Sequence, residues 1–222
     1  MMQSQQSLAS LREEYLRSLL AGERHVAQQA VMEALEWGVS MRDLYLEVFQ
    51  YAQVQLGVLW EEGKITVAHE HFCTAATQLI MSQLYPRIFA NKKHGRVMVA
   101  TSVAGNLHEL GIRMVADFFE MDGWHTFYLG ANTPDASVVA MLLEKQADLL
   151  AVSASMESQV QAVAQLIAAV RQDPALAKVR ILVGGPPFQR HPETAMDLGA
   201  DGTSPDPEQA VALANQIVEA AA

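Results

Sequence analysis

Cysteine is nearly absent: Cys73 is the only one in 222 residues. That excludes an intramolecular disulfide framework. Positive charge is scarce too, with 15 Lys and Arg against 25 Asp and Glu and a net charge of −10. Direct nucleic-acid binding is therefore disfavoured, because phosphate contacts need a basic face. A small basic cluster, Arg87, Lys92, Lys93 and Arg96, reads as a solvated linker. No run of about twenty apolar residues exists, so no membrane span is expected. The opening Met1-Met2-Gln3-Ser4-Gln5-Gln6-Ser7 is polar and lacks a signal-peptide pattern, and the expectation is a cytoplasmic protein. Apolar side chains are plentiful, at half of all residues. They suffice for the core of one large domain or two small ones.

Up to residue 92 the apolar residues recur with a helical period. Leu8, Leu11, Tyr15, Leu16, Leu19 and Leu20 fall on one stripe, which Gly22 ends. Glu23 to Trp37 forms a second helix with Val26, Ala30, Val31, Ala34 and Leu35 on its apolar side, closed by Gly38. Ser40 caps a third helix reaching Glu62. After the Gly63-Lys64 turn, Thr66 caps a fourth that reaches Phe89, bent or shortened by Pro86. Four antiparallel helices with short loops make a bundle over residues 1–92. At its third-to-fourth junction stand Trp60, a core-like residue at a helix end, and Glu70-His71, an ordinary surface pair when taken alone. His69 and His71 are two positions apart and cannot share one helix face.

His94-Gly95 marks a boundary, and over residues 95–222 strands alternate with helices. Strands are expected at Arg96–Thr101, Thr126–Leu129, Leu149–Ser153, Arg180–Val183 and, short, near Gly202. Thr133-Pro134-Asp135 reads as a helix start: a capping hydroxyl, a Pro in the first turn, an acid near the positive end. The fold class is α/β with an N-terminal all-α part. A four-helix bundle precedes a flavodoxin-like, five-stranded, parallel, doubly wound sheet with right-handed crossovers.

Such sheets place ligands beyond the carboxyl ends of their strands, at the switch point beside the first strand. Asn106-Leu107-His108-Glu109-Leu110-Gly111 falls there. A His in that loop can offer an imidazole nitrogen to a metal, and Gly105 and Gly111 let a large ligand come close. Taken alone, it is more often a hydrogen-bonded loop residue. Three further loops end strands: Leu129 to Pro134, Ser153-Ala154-Ser155-Met156, and Val183-Gly184-Gly185-Pro186. Singly, each is an ordinary turn.

The stretch from Asn106 to Gly111 resembles the D-x-H-x-x-G signature of cobalamin-binding domains, with Asn106 where most members carry Asp. The resemblance implies that His108 is the lower axial ligand of cobalt and that the cofactor's nucleotide tail enters the core. Ser153 and Ser155 would contact that tail, and Gly184 and Gly185 would leave room for its benzimidazole. Trp60, followed by nine residues and then Glu70-His71, resembles the signature of light-sensing cobalamin proteins of the CarH type. This second likeness implies a bundle that caps the upper face of the corrin, with Trp60 over the upper ligand and Glu70 close by. His71 would take the upper position at cobalt after light breaks the cobalt–carbon bond. The residue types suit these roles: an aromatic face packs on an apolar group, neutral imidazole is a good cobalt ligand, and a carboxylate orients a ring nitrogen.

The resemblance therefore implies a cobalamin-dependent light sensor that is not an enzyme. It would hold adenosylcobalamin or another alkyl-cobalamin in the dark. Photolysis would change bundle packing, self-association, with a dimer favoured, or binding to a transcriptional regulator or effector domain. CarH-type regulators carry a helix-turn-helix domain before the bundle. This chain starts at the first bundle helix, and so is similar to free-standing, AerR-like members. The photocobilins share this layout, which brings biliverdin in as a second cofactor. Cys73 is then either a pocket residue or a small buried hydrophobe. The alternative is a corrinoid methyl carrier of a methyltransferase system, with the same domain order. Asn106 counts against it, since an amide accepts a hydrogen bond from the imidazole but cannot titrate. A third reading is an α/β response module without a cofactor.

Overall fold

A computed structural model describes residues 7–89 and 91–220; the polar start, Met1 to Gln6, lies outside them. The chain divides into two compact units, split between Tyr85 and Pro86.

The first unit is helical. In α1 (Leu8–Leu20), Ser7 caps through its hydroxyl, and Leu11, Tyr15, Leu16 and Leu19 are buried. In α2 (Arg24–Glu36), Ala27, Val31, Ala34 and Leu35 are buried. Val26, expected on the same side, is 43% exposed. One position before Ala27 means a rotation of about 100°, which turns it outward. Ser40 caps α3 (Met41–Asp43), its Oγ accepting from the Asp43 N–H at 3.0 Å. The helix continues through a π-helical segment, Leu44–Gln50, into α4 (Tyr51–Glu61). The expected third helix is thus one rod with a widened middle. Leu44, Tyr45, Val48 and Phe49 of this segment are all buried. Phe49 packs its ring on Tyr15 and Tyr45, at centroid distances of 5.5 and 5.4 Å. In α5 (Val67–Ile88), Pro86 lies in the last turn and the helix ends at Ile88.

A polar chain crosses this apolar interior. The Tyr15 hydroxyl lies 2.9 Å from Thr77 Oγ1, to which Gln53 Nε2 donates at 3.1 Å. The Thr74 hydroxyl lies 2.8 Å from Gln53 Oε1 and 2.9 Å from Glu70 Oε1. Three helices are joined by groups that would be costly to bury alone.

The second unit is a five-stranded parallel sheet. Its strands are β1 (Val97–Ser102), β2 (His125–Tyr128), β3 (Leu149–Ser153), β4 (Arg180–Gly184) and β5 (Gly202–Thr203), in the order β2-β1-β3-β4-β5. That is the flavodoxin-like order, with its switch point between β1 and β3. The central strands are buried nearly throughout, as strands covered on both faces must be. Among the described residues, six α-helices surround them: α6 (Leu110–Asp122), α7 (Asp135–Lys145), α8 (Val160–Gln172), α9 (Pro186–Arg190), α10 (Pro192–Asp197) and α11 (Pro207–Glu219). Val99, Leu150, Val152, Ile181 and Val183 share a core with Val138 and Leu142 of α7 and with Val163, Ile167 and Val170 of α8. The register sets Ser102 opposite Ser153, and Ser153 opposite Gly184. Three strands therefore release their loops at one level.

Two local expectations are corrected. Pro134, not Thr133, occupies the cap position of α7, and the Thr133 hydroxyl donates to Leu129 O at 3.4 Å within the loop. The basic cluster is not all solvated linker. Lys93 pairs with the buried Glu120 and donates to Trp124 O at 2.8 Å, while Arg96 reaches Asn215 and Glu219 at 2.7 Å each. These contacts fasten the start of the second unit onto α6 and α11.

Candidate functional site

The site grows from the end of β1. The Val103 N–H still bonds to β3, donating to Ser153 O at 3.0 Å. The chain then turns. Gly105 has φ +80°, a conformation that a side chain would strain, and the Asn106 N–H closes the turn on Val103 O at 2.9 Å. From the loop after β2, Asn132 Oδ1 accepts from the Gly105 N–H at 2.8 Å.

Asn106 is fully buried. Its Nδ2 donates to Ser153 O at 3.4 Å and to Ser155 Oγ at 3.3 Å. A backbone carbonyl is an obligate acceptor, which fixes the orientation of the amide. Asn106 Oδ1 therefore faces His108. It accepts from the His108 backbone N–H at 3.0 Å and lies 3.3 Å from Nδ1. An acceptor at Nδ1 selects the Nδ1–H tautomer and leaves a lone pair on Nε2. His108 itself is exposed. Ser102 Oγ donates to His108 O at 2.9 Å and lies 3.2 Å from Ser153 Oγ. The loop is thus held at both its backbone and its ring.

The other expected site residues fall into place unevenly. Gly184 has nothing within 4 Å of where a Cβ would stand, whereas a Cβ on Gly185 would lie 1.9 Å from Ala154 O. Gly184 borders open space, and Gly185, at φ +103°, serves close backbone packing. Gly111 is exposed in the first turn of α6, again with nothing within 4 Å of a Cβ. In the helical unit, Glu70 Oε2 meets His71 Nδ1 at 2.5 Å, and the His71 side chain is 75% exposed. His69 turns back to Thr66 Oγ1 at 2.8 Å. Trp60 is 49% exposed and makes no hydrogen bond to Glu70 or His71 among the described residues. Cys73 is buried, and burial pushes its thiol up to about 11, so it is a neutral small hydrophobe.

Ser102, Asn132 and Gln159 join the site without having been singled out. Ser102 had a signal, a polar residue closing a buried apolar strand. Asn132 sits in a turn-like stretch. Gln159 had none. Asp135 was read only as a helix-start acid. Its Oδ1 is buried with no hydrogen-bond partner among the described residues, and burial pushes its carboxyl above the ordinary value.

One imidazole on an exposed loop, hydroxyls beside it and open space at Gly184 fit a corrinoid. Fold and site together define an α/β protein with an imidazole at the switch point of its sheet. The family follows from comparison with known proteins. A B12 binding domain model matches residues 96–212, more than half of the chain, and a second B12 binding domain model matches residues 11–85. The chain belongs to the B12-binding family. It is similar to dimethylamine corrinoid protein 2 of Methanosarcina mazei, 27% identical over 168 residues, covering 74% of this chain and 77% of that one. The structure of the monomethylamine corrinoid protein of Methanosarcina barkeri shares the fold at a TM-score of 0.83 and 20% identity, covering 95% of this chain and all of that one. A chain of the methanol:cobalamin methyltransferase complex from Methanosarcina barkeri matches at a TM-score of 0.53 and 17% identity, over 94% of this chain and 80% of that one.

These relatives overturn the light-sensing expectation. They are named as corrinoid proteins and as part of a methyltransferase complex. The photolysis role of His71, the biliverdin and the transcriptional-regulator partner were implications of that expectation and lose their support with it. Asn106, the residue read as counting against a carrier, is placed by its hydrogen bonds. Its neutral amide meets the imidazole on one side and a carbonyl on the other, where a carboxylate would set oxygen against oxygen.

Proposed function

We propose that this protein is a corrinoid-binding methyl carrier that works with methyltransferases and does not itself catalyse the transfer. The observation that carries the proposal is His108, oriented by a buried amide and offering Nε2 at the switch point of the sheet. His108 is the lower ligand in this reading. Asn106 and Ser102 hold its loop, and Ser153 and Ser155 border the nucleotide tail. Gly184 leaves that tail room. Gly111 lets the corrin edge approach. When bound, the corrinoid's cobalt supplies the centre that accepts and gives up a methyl group. The protein's own part is to bind, orient and present. Trp60, Glu70 and His71 stand on the helical unit, and what they add to corrinoid retention is read by variants of that unit. The match to corrinoid relatives runs through both units, which supports a carrier over a bare α/β module. The relatives are named for different methyl donors, so the donor here is left unassigned.

The test is direct. The protein is mixed with cobalamin, desalted and examined by absorption, then by electron paramagnetic resonance in the cobalt(II) form. Stoichiometric retention is expected, with coupling to a histidine nitrogen that His108→Ala abolishes. Retention with unchanged coupling in His108→Ala would remove His108 from the role. A protein that retains no corrinoid would end the proposal.

A further inference from the structure

Gln159 belongs to no motif, yet it is 6% exposed and lies beside the site. It stands one residue before α8, after the loop that follows β3. Its Oε1 accepts from two backbone N–H groups, Ser155 at 2.8 Å and Met156 at 3.1 Å. Its Nε2 donates to Gly105 O at 3.4 Å. Two donors on one side and a carbonyl on the other leave the amide a single orientation. One buried side chain thus ties the loop after β3 to the loop that carries His108.

The chain of bonds continues from there. Ser155, its N–H held by Gln159, receives Asn106 Nδ2 on its hydroxyl. Asn106 Oδ1 then meets His108 Nδ1. We infer that Gln159 is a positioning residue that acts through Ser155 and Asn106 to hold His108 as the Nδ1–H tautomer, with Nε2 free. A histidine side chain free in water favours the opposite tautomer, so the bias has to come from the protein. Each link has a direction. Without Gln159 Oε1, the N–H groups of Ser155 and Met156 lose their acceptor and the loop after β3 has reason to shift. Ser155 Oγ moves with it. Asn106 then loses one of the two acceptors that keep its oxygen on the imidazole. The use of a free Nε2 rests on the corrinoid reading; the tautomer itself does not.

The experiment uses the full chain without corrinoid, labelled with nitrogen-15 histidine, and long-range proton–nitrogen correlation at His108. Wild type is expected to show a protonated Nδ1 and an unprotonated Nε2. Gln159→Met removes the amide at similar length. It should raise the Nε2–H population several-fold while the amide signals of the sheet stay in place, which a purely structural loss would not do. Should Gln159→Met fail to fold, Ser155→Ala breaks the chain one link further on and should move the tautomer in the same direction. A wild-type His108 protonated at Nε2 overturns the inference. So does an unchanged tautomer in folded Gln159→Met or, where only that variant folds, in Ser155→Ala. Cobalamin retention by wild type is measured separately. Its failure would sink the carrier proposal and leave the tautomer result standing.

Discussion

At the scale of single residues, the paired glycines after β4 separate structure from function. Gly185 has φ +103°, and a Cβ there would lie 1.9 Å from Ala154 O. Gly185→Ala should cost about 2–5 kcal/mol, from left-handed strain and overpacking together. Urea unfolding would read it, and a loss well under 1 kcal/mol would mean that the contact relaxes freely. Gly184→Ala meets nothing within 4 Å. It should change the stability of the corrinoid-free protein by no more than about 0.5 kcal/mol. If the open space is where the nucleotide tail lies, the same variant should retain corrinoid about tenfold less tightly, since lost contact and steric conflict are worth about 1.4 kcal/mol at that level. Unchanged affinity would place the tail elsewhere. Sequence alone treats these two glycines alike. What tells them apart is the backbone of Ala154, a neighbour supplied by strand register and invisible in the local string. The place of His108, in the loop just past the buried β1, was legible from the apolar run before it. Gln159 was not, because its bonds run to two loops that only the folded sheet brings together.

At the scale of elements, the helical unit depends on a polar chain through its core. Thr77 is fully buried and receives Gln53 Nε2 while pairing with the Tyr15 hydroxyl. Burial drives the Tyr15 phenol above its ordinary ionisation range, so it remains a neutral donor. Tyr15→Phe removes one end and should cost about 1 kcal/mol. Thr77→Val leaves a buried phenol and a glutamine amide short of a partner and should cost about 2–3 kcal/mol. Equal costs from calorimetry would show that the chain does not act as a unit. The start of α7 offers a pH test. Burial raises the Asp135 carboxyl above its ordinary 3.8 in the folded protein. The unfolded chain therefore loses this proton first, and folding stability falls as pH rises from about 3.8 through the folded value. Asp135→Asn lacks that loss. Its melting temperature relative to wild type should climb across this acid window and then level off. A flat difference would mean that the carboxyl is solvated. The helices and strands themselves were largely legible from period and caps. The π-helical middle of the third rod was not: residues four apart, such as Tyr45 and Phe49, share a face in an ordinary α-helix too, so their spacing carries no signal of the wider turn.

At the scale of the whole molecule, the question is which unit holds the cofactor. Among the described residues, the groups that orient His108 lie in the second unit: Ser102, Asn106, Ser153, Ser155 and, by the inference above, Gln159. So does the open space at Gly184. The larger family match, residues 96–212, falls inside it as well. That unit also has its own core, in which the sheet-covering helices α7 and α8 take part. Lys93 and Arg96 anchor its first residues to α6 and α11. A fragment of residues 86–222 should therefore melt cooperatively and retain cobalamin with histidine-nitrogen coupling. Residues 1–85 should stay helical and retain none. The comparison with the full chain then measures what Trp60, Glu70 and His71 add. A large drop in retention by the fragment, with coupling intact, would assign the helical unit to holding the upper side. Loss of the coupling itself would show that the lower ligand is not set within the sheet unit, contrary to the closed set of hydrogen bonds around Asn106. For a methyl carrier the difference matters. A lower-ligand assembly complete within one unit would hold its geometry without the other unit, which is what the fragment's histidine-nitrogen coupling reads.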